Sequence, residues 1–420
     1  MLYSTLFLLA SVASAVSSSE IGSITCVYQY ANFTICSRAS ELINVTHKGN
    51  SKFLQLELYN HTSIGPHTFA SVQLVWLILI FSHPSTGEPR SVDLRPESFN
   101  GLEATLRTLD IYCWIVPHDS TPLSFLQNLE SLTLQQSQLT EVPKNLLKDL
   151  RNLKQFVVKS HNIKTISDDS FSMLNPNIEV IFLEDGDLEF IQGKPFRNFT
   201  RLRMLSFTRN KLSDLQAGVF DGLVRMRTIK LGSNLLSKVK RDIFTPEHRV
   251  LTNVDLSDNQ ISEIEESAFP DIDVVMLSLA KNRLETLPVG AFSNLKLLRL
   301  LDLSRNRIRR ISSYFNGLDN LRKLLIDSNE ISRIEPFAFC GLTLEALRIR
   351  YNANLTELAT DTFNGLTIGG FLELQFNNSS NIKDDAFRNL KAFDILLSGN
   401  PLRSIDRVRW GVGKDIIVNI

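Results

Sequence analysis

The chain is 420 residues long, 43% hydrophobic and 21% charged, the composition of a folded protein. Its 45 Lys and Arg balance 45 Asp and Glu, so no net charge argues for nucleic acid or an anionic membrane as partner. A compact chain of this length ordinarily divides into domains; a chain of repeats escapes that rule, because each unit touches only its neighbours.

Residues 1–17 read as a secretory signal peptide. Leu2 to Ala15 is apolar and uncharged, and Ala13-Ser14-Ala15 offers small residues for cleavage. The run is shorter than the roughly 20 apolar residues a membrane span needs. Val72 to Phe81 is shorter still and contains Gln73, so it reads as a strand. The C-terminus lacks the apolar tail of a lipid anchor. The expectation is a secreted, extracellular chain with no membrane span. That compartment is oxidising, and Cys26 and Cys36, the only close cysteine pair, are expected to form a disulfide. Sequons at Asn32, Asn44, Asn60, Asn198, Asn354 and Asn378 are candidate glycosylation sites.

From Phe53 onward one pattern repeats. In 298–318, Leu298, Leu301, Leu303, Asn306, Ile308, Ile311, Phe315 and Leu318 fall at the offsets LxxLxLxxNxLxxIxxxxFxxL. Alternation around Leu301 and Leu303 signals a strand with one buried face. The first position recurs from Leu129 to Ala392 every 23 to 25 residues. Asparagine fills its slot at Asn210, Asn234, Asn259, Asn282, Asn306, Asn329, Asn352, Asn377 and Asn400. Asn377 also heads a sequon, but its amide is expected to be used inside the turn. An aromatic slot runs from Phe171 through Phe220, Phe244, Phe269 and Phe292 to Phe387. One unit cannot bury its own apolar face, so the units must stack.

These residues resemble the leucine-rich repeat family, in the 24-residue form of extracellular proteins. The resemblance implies an α/β solenoid: a curved horseshoe with a parallel β-sheet on its concave side and short helical turns or irregular segments opposite. About 14 repeats are expected over 53–400. Residues 18–52 resemble a reduced N-terminal cap that covers the first strand edge. Residues 401–420 resemble a degenerate C-terminal cap around Trp410.

Several units are irregular. The second carries an insertion, 82–91, within extra residues that include FSHPSTGEPR, with Pro84, Gly87 and Pro89. Such a loop either carries binding residues or is plain surface. Trp114, His161 and Gly186 replace the asparagine. Cys113 and Cys340 lie roughly 40 Å apart at about 4.8 Å per strand, beyond disulfide reach. Each is expected to be a buried thiol, with an intermolecular bridge left open.

No GxGxxG, P-loop, HExxH or nucleophile elbow occurs. The 7 histidines show no metal-ligand spacing. No catalytic residue, metal ligand or cofactor is assigned.

The informative positions lie between the strand leucines. With Leu301 and Leu303 inward, Leu300, Asp302 and Ser304 point to the concave face. The same frame puts Val157, Val180, Phe182 and Met204 on three adjacent strands as one apolar patch, the mark of an interaction site. The alternatives are that sheet twist separates them or that the 82–91 insertion covers them. Arg348 and Arg350 share this face, near the basic run Arg305, Arg307, Arg309 and Arg310. These suit an acidic partner or sulfated glycan, unless Asp302, Asp327 and Glu373 neutralise them.

The resemblance extends to the ectodomains of Toll-like receptors and Slit-type guidance proteins, and to secreted immune recognition factors. It implies non-catalytic recognition of an extracellular protein ligand or receptor, with no nucleic acid; homodimer and heterodimer stay open. The alternative is a structural matrix or adhesion protein binding glycans or matrix proteins. An enzyme would need a reaction that no motif here suggests.

Overall fold

The computed structural model describes residues 24–29, 32–83, 86–117 and 121–420. The expected signal peptide at 1–17 and residues 18–23 of the expected cap lie outside them. The described residues form two compact units. One holds those up to Leu139 with Pro143–Leu153 and Met173–Asn175; the other holds Thr140–Val142, Lys154–Ser172 and Pro176–Ile420.

The first unit opens on a hairpin. Ile24–Gln29 runs antiparallel to Phe33–Arg38, which pairs in turn with Glu41–His47. Cys26 stands opposite Cys36 in this register, and the two form a disulfide. The hairpin does not cover the edge of the first repeat strand, as the sequence suggested. Glu41–His47 pairs instead with Ser63–Ile64 on the return side of the first turn. Hydrogen bonds fix it there: the Leu42 carbonyl accepts from the Gly65 N–H, and the Val45 N–H donates to Thr68, both at 2.8 Å. The strand Phe53–Glu57 therefore ends its own sheet's hydrogen-bonded order.

Phe53–Glu57, Trp76–Ile80, Thr108–Tyr112 and Ser131–Gln135 then pair in parallel, each in register with the next. Their inward leucines and isoleucines are buried. The described part of the insertion folds onto this unit. The Arg90 N–H donates to the Cys113 carbonyl at 2.8 Å, and its guanidinium donates to the Tyr59 carbonyl. Trp114, standing in the asparagine slot, is buried and donates its ring N–H to the Val92 carbonyl at 3.1 Å. It thus does part of an asparagine's work with a larger side chain.

In the second unit the parallel ladder runs from Gln155–Lys159 through Val180–Glu184, Met204–Ser206 and Thr228–Lys230 to Asn253–Asp255. It continues through Met276–Ser278, Leu300–Asp302, Lys323–Leu325, Thr343–Arg348 and Thr367–Glu373 to Asp394–Leu396. Ile417–Asn419 pairs with that last strand, so the sheet extends into the segment resembling a cap. Two-residue strands such as Arg310–Ile311 and Arg333–Ile334 pair on the return side.

Two ladders explain why the repeat needs its invariant-looking slots. Buried backbone groups must find partners, and Asn306 supplies them. Its Nδ2 donates to Leu279 at 2.9 Å and Leu303 at 3.0 Å, while its Oδ1 accepts from the Leu284 N–H at 3.0 Å. Asn210, Asn234, Asn259 and Asn282 do the same. Asn377 is engaged likewise, with Nδ2 at 2.7 Å from the Ile349 carbonyl, as the sequence suggested. The second ladder is aromatic. Phe220, Phe244, Phe269 and Phe292 follow one another at ring-centroid distances of 6.4, 5.9 and 6.1 Å. Trp410 closes the series 6.5 Å from Phe387.

His161 and Gly186 interrupt the asparagine ladder together. His161 is buried, and its Nδ1 accepts from the Ile163 N–H at 3.2 Å. Its ring fills the space beside Gly186: a methyl there would lie 2.2 Å from His161 Cε1. Glycine is needed at 186 because histidine occupies 161.

Candidate protein-binding face

Alternate side chains of the second unit's main sheet reach its exposed face. Register places Val180 beside Met204, and Phe182 between Val157 and Ser206. Val180, Phe182 and Met204 are half-buried. Val157 is only 5% exposed, so it is not the open patch residue that alternation suggested. Ser206, on the other side of Phe182 in register, is fully buried too. Lys230, in register with Ser206, extends its Nζ to 6.0 Å from the Phe182 ring centroid. That contact is a cation–π interaction.

A polar row adjoins this patch. Ser206 Oγ donates to Glu184 Oε1 at 2.5 Å, and Lys159 Nζ lies 3.4 Å from Glu184 Oε2. Further along, Met276 stands beside Leu300, and Leu325 beside Asp302. Met276 is 46% exposed, more open than any residue of the expected patch. Alternation placed it on the face, but only packing shows which apolar side chains stay open.

Arg348 and Arg350 are brought together, yet not as free cations. Arg348 lies 2.9 Å from Asp327, and Arg350 lies 3.0 Å from Asp327 and 3.1 Å from Glu373. Two cations and two carboxylates make a neutral network. Burial raises the Glu373 carboxyl above its ordinary range, and Arg350 opposes that. The network orients Arg350 under Tyr351, whose exposed ring stacks on Phe376 at 4.9 Å. The basic run also divides. Arg309 pairs with Glu285 at 3.1 Å and Glu330 at 3.2 Å, and Arg310 pairs with Glu335 at 2.6 Å.

Cys113 is buried, and burial raises its thiol pKa. Cys340 is exposed, contrary to expectation, because Phe339 takes the inward position beside it. Asn32, Asn60, Asn198, Asn354 and Asn378 are exposed and Asn44 is half-buried. Among the described residues no group of three or more His, Cys, Asp or Glu could hold a metal ion. None of their helices is long and apolar enough to cross a membrane.

A family model described as leucine rich repeat matches residues 176–236, 249–308 and 272–331. Toll-like receptor 3 of Bos taurus is 25% identical over 283 residues, covering 63% of this chain and 31% of the receptor. Keratocan of Gallus gallus is 28% identical over 230 residues, covering 54% of this chain and 57% of keratocan. The chain thus spans under a third of one relative's length and just over half of the other's. The solved mouse RP105/MD-1 complex is similar in fold, with a TM-score of 0.61 at 17% identity, covering 82% of this chain and 62% of that one. Repeat model, relatives and fold agree with the asparagine and phenylalanine ladders: the chain is built of leucine-rich repeats and resembles these relatives over them.

Proposed function

We propose that this chain is a secreted, non-catalytic recognition module that holds an extracellular protein ligand or co-receptor on the exposed face of its second unit's sheet. The observation that carries this reading is the apolar spot of Val180, Phe182 and Met204, with Met276 and Leu300 further along the same face. A polar face with a few open apolar anchors is the pattern of a protein interface. The Cys26–Cys36 disulfide supports an oxidising, extracellular setting.

Phe182→Ala is expected to weaken partner binding by about 2 kcal/mol or more. Binding would be read by surface plasmon resonance against a partner cross-linked to the secreted protein. Phe182 stands beside the buried Val157 in register, so Met204→Ala and Met276→Ala serve as companions at other positions of the face. Unchanged affinity in all three well-secreted variants would rule out this face. Capture of collagen or matrix glycan alone would favour the structural matrix reading.

A further inference from the structure

The array Lys281, Arg283, Arg305 and Arg307 is a cluster of unpaired cations. We propose that it is a binding site for a linear sulfated polysaccharide, separate from the apolar face. The turns carrying it are adjacent: the Lys281 N–H donates to Ser304 at 2.8 Å, and the Arg307 N–H to Leu284 at 2.9 Å. Neighbouring turns of such a ladder stand about 4.8 Å apart. Each pair flanks a buried asparagine. Asn282 donates to Leu256 at 2.9 Å and Asn306 to Leu279 at 2.9 Å, which pins the backbone and turns both flanking side chains outward. Lys281 and Arg305 sit at φ values of 55° and 56°, the same left-handed step in both turns. The site is therefore held in place before any ligand arrives.

Charge selects the class of ligand. All of these side chains are exposed, and none has an ion-pair or side-chain hydrogen-bond partner among the described residues. The acids nearby are engaged elsewhere. Asp258 accepts from Ser233 at 2.7 Å, Glu285 and Glu330 hold Arg309, and Asp327 holds Arg348 and Arg350. Like charges on neighbouring turns repel, and an external anion relieves them. The half-buried positions around it, Ser257, Gln260, Ala280, Ser304 and Ser328, are small or polar. A single-stranded nucleic acid needs stacking platforms, and a peptide needs an anchor; this array offers neither. A sulfated chain needs only spaced cations and hydroxyl partners. The candidate sequons Asn198 and Asn354 leave the span between them without attached sugar to block access.

The test uses the full secreted chain and a heparin-derived octasaccharide, measured by calorimetry at physiological salt. Wild type is expected to bind, with affinity falling as salt rises. Arg305→Ala with Arg307→Ala removes half the array and is expected to weaken binding by about tenfold or more. Lys194→Gln with Lys211→Gln changes net charge equally at cations already paired with Asp221 and Asp187, and is expected to leave binding within about twofold. Phe182→Ala should also leave it unchanged, which separates this site from the protein-binding face. Equal loss in both charge variants would show a general field effect and overturn the site. No binding by wild type, or equal binding of the desulfated octasaccharide, would overturn it as well. Stronger competition by poly-glutamate or single-stranded RNA would assign the array to another class of ligand.

Discussion

Replacing Phe269 with alanine is expected to destabilise the second unit by about 3–5 kcal/mol. Phe269 is almost wholly buried, with ring neighbours on both sides at 5.9 Å (Phe244) and 6.1 Å (Phe292). Truncation removes its apolar area and leaves a cavity, and both flanking aromatic pairs lose a partner, each worth about 0.5–1.5 kcal/mol beyond burial. The turns cannot close over the gap. Asn259 and Asn282 fix the backbone on either side through their bonds to Leu231 and Leu256. In a solenoid the damage spreads by nearest-neighbour contact, so the turns bearing Phe244 and Phe292 should lose hydrogen-exchange protection first. Phe393→Ala is the matched control. That ring is 62% exposed, and its loss should cost less than about 0.5 kcal/mol. Equal denaturant midpoints for Phe269→Ala and Phe393→Ala would show that the aromatic slot is not core.

The repeat fold was legible because its two ladders are written as residue types at fixed spacing. An asparagine that must bond three backbone groups, and a phenylalanine that must fill a gap between turns, leave little freedom of identity. The binding face was less legible. Alternation put Val157 and Phe182 on the same side, but whether Val157 is open depends on the packing around it, which alternation does not specify. For Arg348 and Arg350 the sequence left open whether Asp302, Asp327 and Glu373 neutralise them; the structure pairs them with Asp327 and Glu373. The cap illustrates a different limit. The Cys26–Cys36 pairing follows from cysteine count and compartment, whereas the side on which the hairpin docks depends on Gly65 and Thr68 hydrogen bonds that have no sequence signature. The basic array was half visible: Arg305 and Arg307 stood out as a run, while Lys281 and Arg283 joined them only through adjacency of turns.

Stability is expected to fall by about 3 kcal/mol as the pH drops from 6.5 to 4, through His161 alone. Burial lowers the His161 pKa from 6.5 to about 4, opposed by the Leu183 carbonyl and the Asp187 and Asp185 carboxylates. Nδ1 accepts from the Ile163 N–H, so the neutral ring carries its proton on Nε2, which has no partner of hydrogen-bond geometry; a second proton must enter at Nδ1, where it would displace that bond and add an unsolvated charge. In the unfolded chain the ring takes up its proton near 6.5; in the folded chain it does so only near 4. The stability present above pH 6.5 is therefore lost as pH falls through that window, at about 1.4 kcal/mol per pH unit. Asp185 and Asp187 lose their stabilising charge lower still, since Arg209 and Lys211 hold both below the usual carboxylate range. His61, lowered by burial in the first unit, adds a slope of its own. The comparison with His161→Asn cancels it. Asparagine restores the usual occupant of the slot and cannot titrate, although Gly186 then leaves a void that lowers stability equally at every pH. Denaturation midpoints of the two proteins should run parallel above pH 6.5 and converge toward pH 4 as only the parent loses this contribution. Curves that stay parallel across the whole range would show that His161 is solvated or protonated in the folded chain, and that the His161–Gly186 pair is packing without electrostatic consequence.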